Sequence, residues 1–256
     1  MKVEGNVFVV TGAGSGLGRA TCDAIVRRGG RVIALDMNAK AGEELVADHG
    51  SAVFFAVANV LDSKAVSGAL TAGQSKLGPI RGLVSCAGIG RPRKVLSSKG
   101  PHSLEDFQTV INVNLVGTFN VLRLVCEQIA KNPPTGPDQE RGVIINVSSV
   151  AAKDGQIGQA SYSASKAAVD GMNLPLAREL AAHGIRVLSI APGIFITPMA
   201  KELSPQVQAS LAKQVPFPPR LGNPPEFAAL CIAIIENPYL NGESIRLDGS
   251  IRMSAM

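Results

Sequence analysis

Short apolar runs alternate with longer helical stretches along almost the whole chain, and this alternation limits its possible folds most strongly. The apolar runs have no polar face and are Val7–Thr11, Arg31–Leu35, Ala52–Val57, Gly82–Ser85, Val143–Val147, Ile185–Ile190 and Ser244–Leu247. The helical stretches between them are Leu17–Arg28, Lys40–Asp48, Ser63–Lys76, Leu104–Ala130, Ala160–Ala182 and Pro225–Ile235. Strands that are apolar on both faces are typical of a parallel sheet covered by helices. The pattern therefore predicts an α/β fold with a doubly wound parallel sheet of about seven strands.

The 256 residues contain no internal repeat and no linker that would divide them, so a single domain is predicted. Two polar stretches interrupt the alternation, the basic stretch Gly90–His102 and the proline-containing stretch Lys131–Gly142. Both are predicted to be exposed loops. Ser103, with Asp106 three residues later, is predicted to cap the helix that begins at Leu104.

Composition excludes several classes of protein. An apolar fraction of 46% and a charged fraction of 18% are incompatible with a disordered chain. No run of about 18 consecutive apolar residues is present, so no ordinary membrane-spanning helix is expected. The net charge of +5 does not by itself indicate nucleic-acid binding. The four cysteines are far apart, so we expect no metal site and small buried thiols in a reducing compartment.

The start of the chain bears on its location in the cell. Strand-like residues begin at Val7, which leaves no room for a signal peptide, and no Arg/Ser-rich presequence is visible. We therefore expect a cytoplasmic or mitochondrial-matrix protein without an evident cleaved leader.

A glycine-rich turn, Thr11-Gly12-Ala13-Gly14-Ser15-Gly16-Leu17-Gly18, joins the first strand to the first helix. Glycines let a phosphate approach the backbone, and the following helix presents unpaired N–H groups and its positive dipole end. Asp36 ends the second strand, where a carboxylate can accept hydrogen bonds from an adenosine ribose and repel a 2′-phosphate. These features predict a dinucleotide site that prefers NAD to NADP. A tight β–α turn and a solvated aspartate are the alternatives.

A second group of residues has the character of an acid–base site. Tyr162 and Lys166 are four residues apart and share one face of a predicted helix, while Ser149 follows the strand Val143–Val147. A free tyrosine has a pKa of about 10, and a neighbouring ammonium group favours the phenolate. We predict that Tyr162 acts as a general base with Lys166 lowering its pKa, and that Ser149 binds the substrate oxygen. Asn114 lies in an apolar helix and either packs there or faces the site.

These motifs, together with Cys86-Ala87-Gly88, Asn112-Val-Asn-Leu-Val-Gly117 and Pro192-Gly193 with Thr197, resemble those of the short-chain dehydrogenase/reductase family. The resemblance runs from Thr11 to Gly249 and implies a Rossmann-like NAD-binding domain over residues 1–256, with a substrate loop at about residues 192–215. It implies that Ser149, Tyr162, Lys166 and Asn114 are catalytic, and that Ser149, Gln156 and Tyr162 bind substrate. The cofactor-binding residues that it implies are Gly12, Ser15, Gly16, Leu17, Gly18, Asp36, Asn59, Val60, Cys86, Ala87, Gly88, Tyr162, Lys166, Pro192, Gly193, Phe195 and Thr197.

The resemblance also implies individual roles. Lys166 would hold the nicotinamide ribose, Asn114 would support a proton-relaying water, and Val60 would contact the adenine. Two positions depart from the family pattern. Asn59 stands where many members have aspartate, and Ser85 or Cys86 stands where the family has asparagine. We expect weakened adenine recognition at Asn59, because its side-chain oxygen can still accept a hydrogen bond.

Further stretches, among them Arg141–Asn146, Gly155–Gln159 and Gln214–Pro218, are similar to a subgroup of this family that acts on 3-hydroxyacyl-CoA. The resemblance implies an NAD-dependent oxidoreductase that interconverts a secondary alcohol and a ketone in fatty-acid or branched-chain acyl-CoA degradation. It also implies a homotetramer. A hydroxysteroid or other secondary-alcohol dehydrogenase remains an alternative, as does a cofactor-bound scaffold subunit of a larger assembly.

Four basic residues follow the Cys86-Ala87-Gly88 segment without an intervening acidic residue. They are Arg91, Arg93, Lys94 and Lys99, and we call the segment that carries them the basic loop. Because it follows the end of a strand, it is expected near the cofactor cleft. Its charges either attract the phosphates of coenzyme A or are simply solvated.

Overall fold

The computed structural model describes residues 1–201 and 204–255, and in this part of the chain seven parallel strands form one sheet. The strands are β1 (Val7–Thr11), β2 (Arg31–Asp36), β3 (Val53–Val57), β4 (Ile80–Ser85), β7 (Gly142–Val147), β8 (Ile185–Pro192) and β9 (Ser244–Leu247). A small antiparallel hairpin, β5 (Leu96–Ser97) and β6 (Gly100–Pro101), lies apart from the sheet. The strand order β3-β2-β1-β4-β7-β8-β9 confirms the predicted doubly wound, Rossmann-like α/β fold.

Helices cover both faces of the sheet. They are α1 (Gly16–Arg27), α2 (Ala39–His49), α3 (Ser63–Leu77), α4 (Leu104–Ile111), α5 (Thr118–Ala130), α6 (Ala160–Leu180), α7 (Pro198–Lys201), α8 (Pro205–Lys213) and α9 (Pro224–Glu236). Alternate strand residues such as Val9 and Val10 enter different core clusters. Because the side chains of a strand alternate between its faces, these clusters form two core layers, one on each side of the sheet.

The predicted helix Leu104–Ala130 is interrupted, which corrects that prediction. A π-helical turn at Asn112–Gly117 separates α4 from α5. By length and hydropathy alone this stretch could cross a membrane, but half of it is buried and α5 packs against β4. It therefore has the character of a core helix. The Ser103 cap is confirmed, since its Oγ accepts a hydrogen bond from the Asp106 amide at 3.3 Å.

The stretch Lys131–Gly142 is less exposed than predicted. Asn132 is buried and donates from Nδ2 to the carbonyl oxygen of Ile80 at 2.6 Å. Glu140 is buried as well and pairs with Arg186 on β8, at 2.8 Å between Oε1 and Nη2. A buried guanidinium requires a counter-charge, and a carboxylate from this loop supplies it.

The order of the strands determines where a ligand can bind. The chain runs outward to β3 on one side of β1 and continues from β4 on the other, so the connections diverge between β1 and β4. Such a switch point leaves a crevice at the carboxyl ends of the strands.

Candidate active site

A cleft of about 420 Å³ opens above the carboxyl ends of β1, β4, β7 and β8. It brings together most of the predicted site, although these residues are widely separated in the sequence. The predicted residues that line it are Ser15, Gly16, Leu17, Gly18, Cys86, Gly88, Ser149, Gln156, Tyr162, Lys166, Pro192, Gly193, Phe195 and Thr197. Gly12, Asp36, Asn59, Val60, Ala87 and Asn114 lie outside its lining.

The glycine turn is shaped by close backbone approaches that only glycine permits. Gly12 has a φ of +63°, and a Cβ on Gly18 would collide with the carbonyl oxygen of Gly12. Ser15 is the N-cap of α1 but makes no side-chain capping bond, and no acidic residue occupies the first turn of that helix. Its backbone amides and positive dipole end therefore remain available to an anion, as a dinucleotide pyrophosphate requires.

Asp36 lies at the end of β2, directly beside the glycine turn. Its Oδ2 accepts a hydrogen bond from the Gly14 amide at 2.8 Å, and its Oδ1 accepts one from the Asn38 amide at 2.9 Å. These bonds hold the half-buried carboxylate at the edge of the turn. A carboxylate fixed there can accept hydrogen bonds from ribose hydroxyls and opposes an additional phosphate.

Asn59 and Val60 follow β3, beyond Asp36 and away from the cleft. The side-chain oxygen of Asn59 accepts a hydrogen bond from the Leu61 amide at 3.0 Å, so it stabilises a local turn. Val60 is buried, packs close to Gly117 and accepts a hydrogen bond at its carbonyl from Asn120. Both residues lie at the β3 edge of the sheet.

Ser149 and Tyr162 meet in the cleft from different elements. Ser149 follows β7 and begins a short 3₁₀ turn by accepting a hydrogen bond from the Ala151 amide at 3.1 Å. Tyr162 lies in the first turn of α6. Burial raises the pKa of Tyr162, and a hydrogen bond from Ser149 opposes this by favouring the phenolate. The Ser149 hydroxyl group therefore influences the protonation of Tyr162.

Lys166 lies one helical turn after Tyr162 and is buried. Its Nζ donates to the carbonyl oxygen of Val147 at 2.8 Å and lies 5.8 Å from the centre of the Tyr162 ring. Burial lowers the pKa of Lys166 to about 8, against the opposing influence of Cys86 and Asp170. The effect predicted for Tyr162, a lower pKa caused by the lysine, is not among the influences found on that tyrosine.

Asn114 occupies the π-helical turn and is fully buried. Its Oδ1 accepts from the Ile89 amide at 2.8 Å, and its Nδ2 donates to the Ile89 carbonyl at 3.0 Å and to Ser165 Oγ at 3.1 Å. The side chain thus fastens the segment after β4 to α6. A Cβ on Gly88 would lie 3.2 Å from Asn114 Oδ1 and 3.5 Å from Lys166 Nζ. The close approach of these two side chains favours glycine at position 88.

The segment after β8 lines the cleft beside the glycine turn. Thr197 lies against Gly16, where a Cβ would come within 3.2 Å of the Thr197 methyl carbon. The Gly193 amide donates to the Leu247 carbonyl at 2.9 Å, which aligns this segment with β9. Phe195 is buried and packs edge-on against Phe227 at 6.4 Å, so much of its side chain serves the core.

The cleft has an apolar wall, most of which lies in the predicted substrate segment of residues 192–215, whereas Met253 was not predicted. Leu211 of α8 and Met253 near the end of the chain line it, together with Ile194 and Ala200. The final segment is held there because the Ala255 carbonyl accepts from the Ile157 amide at 3.0 Å. The sequence does contain a pattern that predicts the start of α8, because Ser204 followed by Pro205 is typical of a helix start. No local pattern marks Met253.

Gly90, Arg91 and Pro92 of the basic loop also line the cleft. Arg91 and Arg93 both pair with Asp106, at 3.1 and 3.5 Å, and both are more than half exposed. The Arg93 amide donates to the Gly158 carbonyl at 2.8 Å, which joins this loop to the segment that carries Gln156. The two segments together form the rim of the cleft.

Cys22, Cys126 and Cys231 are buried free thiols, as predicted, whereas Cys86 is half-buried and lines the cleft. Within residues 1–201 and 204–255, no group of three or more His, Cys, Asp or Glu side chains is arranged to hold a metal ion.

Comparison with known proteins extends these similarities over nearly the whole chain. A family model described as short chain dehydrogenase matches residues 6–208. The chain is 53% identical over 254 residues to 3-hydroxyacyl-CoA dehydrogenase type-2 of Mus musculus, covering 98% of this chain and 97% of that protein. The protein of the same name from Homo sapiens is 51% identical with the same coverage. The crystal structure of 3-hydroxyacyl-CoA dehydrogenase type-2 from Mycobacterium avium matches with a TM-score of 0.94 at 37% identity, covering 98% of both chains.

Proposed function

Because the chain belongs to the short-chain dehydrogenase family, we propose that it is an NAD-dependent dehydrogenase that interconverts the 3-hydroxyl and 3-keto groups of an acyl-CoA. One observation carries this proposal: Ser149, Tyr162 and Lys166 converge in a cleft that also contains an open glycine turn. Identity of about half to relatives named for 3-hydroxyacyl-CoA supports the substrate class.

NAD is the cofactor that the residues around the turn favour. The glycine turn and the first amides of α1 would hold the pyrophosphate, and Asp36 would accept hydrogen bonds from the adenosine ribose. Asn59 and Val60 would lie near the adenine, and Pro192, Gly193 and Thr197 near the nicotinamide. When bound, this cofactor supplies the hydride acceptor or donor, and the protein supplies orientation and proton transfer.

The protein's own residues would handle the proton at the substrate oxygen. In the oxidation direction, Tyr162 would accept the hydroxyl proton, while Ser149 donates a hydrogen bond to the same oxygen and orients it. In reduction, Tyr162 would return that proton to the ketone oxygen. Lys166, held by the Val147 carbonyl, would contribute positive charge beside the phenol and bind the nicotinamide ribose. Asn114 would position the Ile89 segment and support the water that exchanges protons with solvent.

The rim and the apolar wall of the cleft suit the two parts of an acyl-CoA. We place the acyl chain against Leu211 and Met253, within and beside the predicted substrate segment of residues 192–215. Residues 202 and 203 of that segment lie outside the described residues. Gln156 lines the same side of the cleft. The basic loop at the rim would attract the phosphates of coenzyme A.

A homotetramer is the assembly we propose. Val116 and Phe119 expose 48% and 44% of their surface along the π turn and α5, and Leu174 on α6 exposes 47%. Apolar side chains of this size on two long helices favour burial against other copies of the chain. Native mass spectrometry should give four subunits, and a monomer would contradict this part of the proposal.

A panel of substrates tests the proposed activity. Acetoacetyl-CoA, a ketosteroid and a simple ketone are reduced with NADH and with NADPH, and kcat/KM is measured for each pair. We expect acetoacetyl-CoA with NADH to give the highest value. A higher value for the steroid or the simple ketone would favour the alternative secondary-alcohol dehydrogenase. Absence of turnover for all three would favour the cofactor-bound scaffold subunit, which stoichiometric partners of the native protein would then identify.

A further inference from the structure

A carboxylate lies one helical turn beyond Lys166 on the buried side of α6. Asp170 Oδ1 accepts hydrogen bonds from Ser189 Oγ on β8 at 2.7 Å and from Ser244 Oγ on β9 at 2.9 Å. Asn173 Nδ2 also contacts Ser189 Oγ at 2.7 Å. These bonds hold the Asp170 carboxylate beneath the helix. Residues four apart share a helix face, so Asp170 lies on the side of α6 that carries Lys166.

The sheet beneath this part of α6 is polar but uncharged. The residues paired in register across β1, β4, β7, β8 and β9 are Thr11, Ser85, Asn146, Ser189 and Ser244. Ser85 Oγ and both side-chain polar atoms of Asn146 are buried without a partner among the described residues. A polar layer without charge can solvate an ammonium group partly but cannot neutralise it.

Among the residues that the structure describes, the acidic groups on the other elements packed against α6 are exposed or already paired, as Asp154 is with Arg246. The 3₁₀ turn Val150–Ala152 and the π turn face Lys166 with neutral residues, Asn114 among them. At the start of α4, Glu105 is exposed, and the half-buried Asp106 is paired with Arg91 and Arg93.

Two acidic groups do act on the lysine. Cys86 and Asp170 both raise the pKa of Lys166 against the effect of burial. Burial raises the pKa of the Cys86 thiol to about 12, so it carries no charge near neutral pH. Tyr162, on the lysine's own helix, also has a raised pKa and is neutral in this range. Asp170 therefore supplies the negative charge.

We propose that Asp170 is a positioning residue that keeps Lys166 protonated and thereby sustains proton transfer through Tyr162. The inference rests on the proposed role of Lys166 in the reaction. Asp170 touches neither substrate nor cofactor in this scheme and acts through the lysine. Two serine hydroxyl groups, on β8 and β9, anchor the carboxylate to the sheet.

The pH dependence of kcat tests this proposal. Acetoacetyl-CoA is reduced with saturating NADH by the wild type and by Asp170→Asn, from mildly acidic to alkaline pH. Loss of the carboxylate lowers the pKa of Lys166, so the fall in kcat on the alkaline side should move to lower pH, by about 1 unit. Asp170→Glu restores the charge and should return the profile toward that of the wild type. Glu179→Gln, which removes an exposed carboxylate from the same helix, should leave the profile unchanged.

A purely structural role for Asp170 predicts a different result. It would lower thermal stability and reduce kcat equally at every pH, and a profile of unchanged shape in Asp170→Asn would overturn the proposal. The pH profile of Asp170→Ala is measured in parallel. If one of the two variants folds poorly, the other still tests the proposal. The variant Lys166→Ala separates a failure of the role proposed for Lys166 from a failure of the inference about Asp170. If this variant keeps wild-type activity, the role assigned to Lys166 fails; if it is inactive while Asp170→Asn keeps its profile, only the present inference fails.

A second measurement does not depend on turnover. Competitive labelling of amines over a range of pH, followed by mass spectrometry of the peptide that contains Lys166, gives the pKa of this side chain directly. We expect a lower value in Asp170→Asn than in the wild type, and equal values would contradict the proposal even if acetoacetyl-CoA is not the substrate.

Discussion

For Tyr162, the sequence predicted the position of the side chain but not the influences on its pKa. Its spacing from Lys166 predicted that the two would share a helix face, and they do. Its protonation depends on burial and on the Ser149 hydroxyl, which reaches it from a different element. Because burial outweighs the hydrogen bond from Ser149, the pKa of the phenol is raised.

Replacement of Tyr162 by phenylalanine tests the proton transfer. The change removes one hydroxyl group and almost no volume, so kcat for acetoacetyl-CoA should fall by ~10²–10⁴-fold. The dissociation constant for NADH, measured by titration calorimetry, should change little. A Tyr162→Phe enzyme that keeps more than half of the wild-type kcat would exclude this residue as the acid–base group.

The position of Asp36 was likewise predictable from the sequence, whereas its hydrogen-bond partners were not. Its position after β2 was readable from the sequence, but its hydrogen bond from the Gly14 amide depends on the conformation of the glycine turn. We predict that the wild type prefers NADH to NADPH in kcat/KM and that Asp36→Ala narrows this preference. The variant loses both the ribose hydrogen bonds and the repulsion of a 2′-phosphate. A wild type that uses NADPH at least as well would refute the role assigned to this carboxylate.

At the scale of elements, long regular segments were predictable and short or interrupted ones were not. The seven strands appear where their apolar runs predicted them, with ends that differ by at most a few residues. The π turn at Asn112–Gly117 was missed because its sequence continues the helical pattern of its neighbours. The hairpin β5–β6 and helix α7 are too short to leave a periodic signal.

The glycine turn allows a matched comparison between two glycines. Gly18→Ala places a Cβ against the Gly12 carbonyl oxygen, which belongs to the backbone and cannot move aside cheaply. We expect this variant to lose most of its affinity for NADH in titration calorimetry. Gly68→Ala on α3 meets nothing within 4 Å and should keep that affinity while gaining about 0.5–1 kcal/mol of stability. Equal affinity for NADH in the two variants would contradict the proposed pyrophosphate site.

The basic loop was expected near the cleft, and the structure adds its pairing with Asp106 and its link to Gly158. Replacing its four basic residues with glutamine should raise KM for acetoacetyl-CoA roughly tenfold, since exposed charges each contribute a few tenths of a kcal/mol. The effect should shrink at high salt. The double variant Lys40→Gln/Lys64→Gln removes exposed charges elsewhere and should leave KM unchanged.

Uncharged substrates distinguish the explanations for the basic loop. If the glutamine variant raises KM equally for an uncharged ketone, the loop has been damaged generally. If KM changes for neither substrate, the charges are merely solvated and the coenzyme A proposal for this loop fails.

Part of the cleft could not be predicted from the sequence, because it is formed by segments that are far apart along the chain. Motifs at strand ends predicted the part of the cleft around the glycine turn, because parallel strands bring their carboxyl ends to one edge. The lining also includes Leu211, inside the predicted segment of residues 192–215, and Met253, which a terminal segment brings back from the last part of the chain and which was not predicted. Likewise, Glu140 was assigned to an exposed loop because its buried partner Arg186 lies on a distant strand. Long-range partners of this kind leave no local pattern.

The most direct test of the central claim follows the transferred hydrogen. Acetoacetyl-CoA is incubated with the purified protein and with NADH that carries deuterium at both hydrogens of nicotinamide C4, and the product is analysed by mass spectrometry. The account predicts 3-hydroxybutyryl-CoA with one deuterium at C3, because the hydride passes directly from cofactor to substrate in the cleft. Product without deuterium, or no product under conditions where NADH is bound, would contradict it.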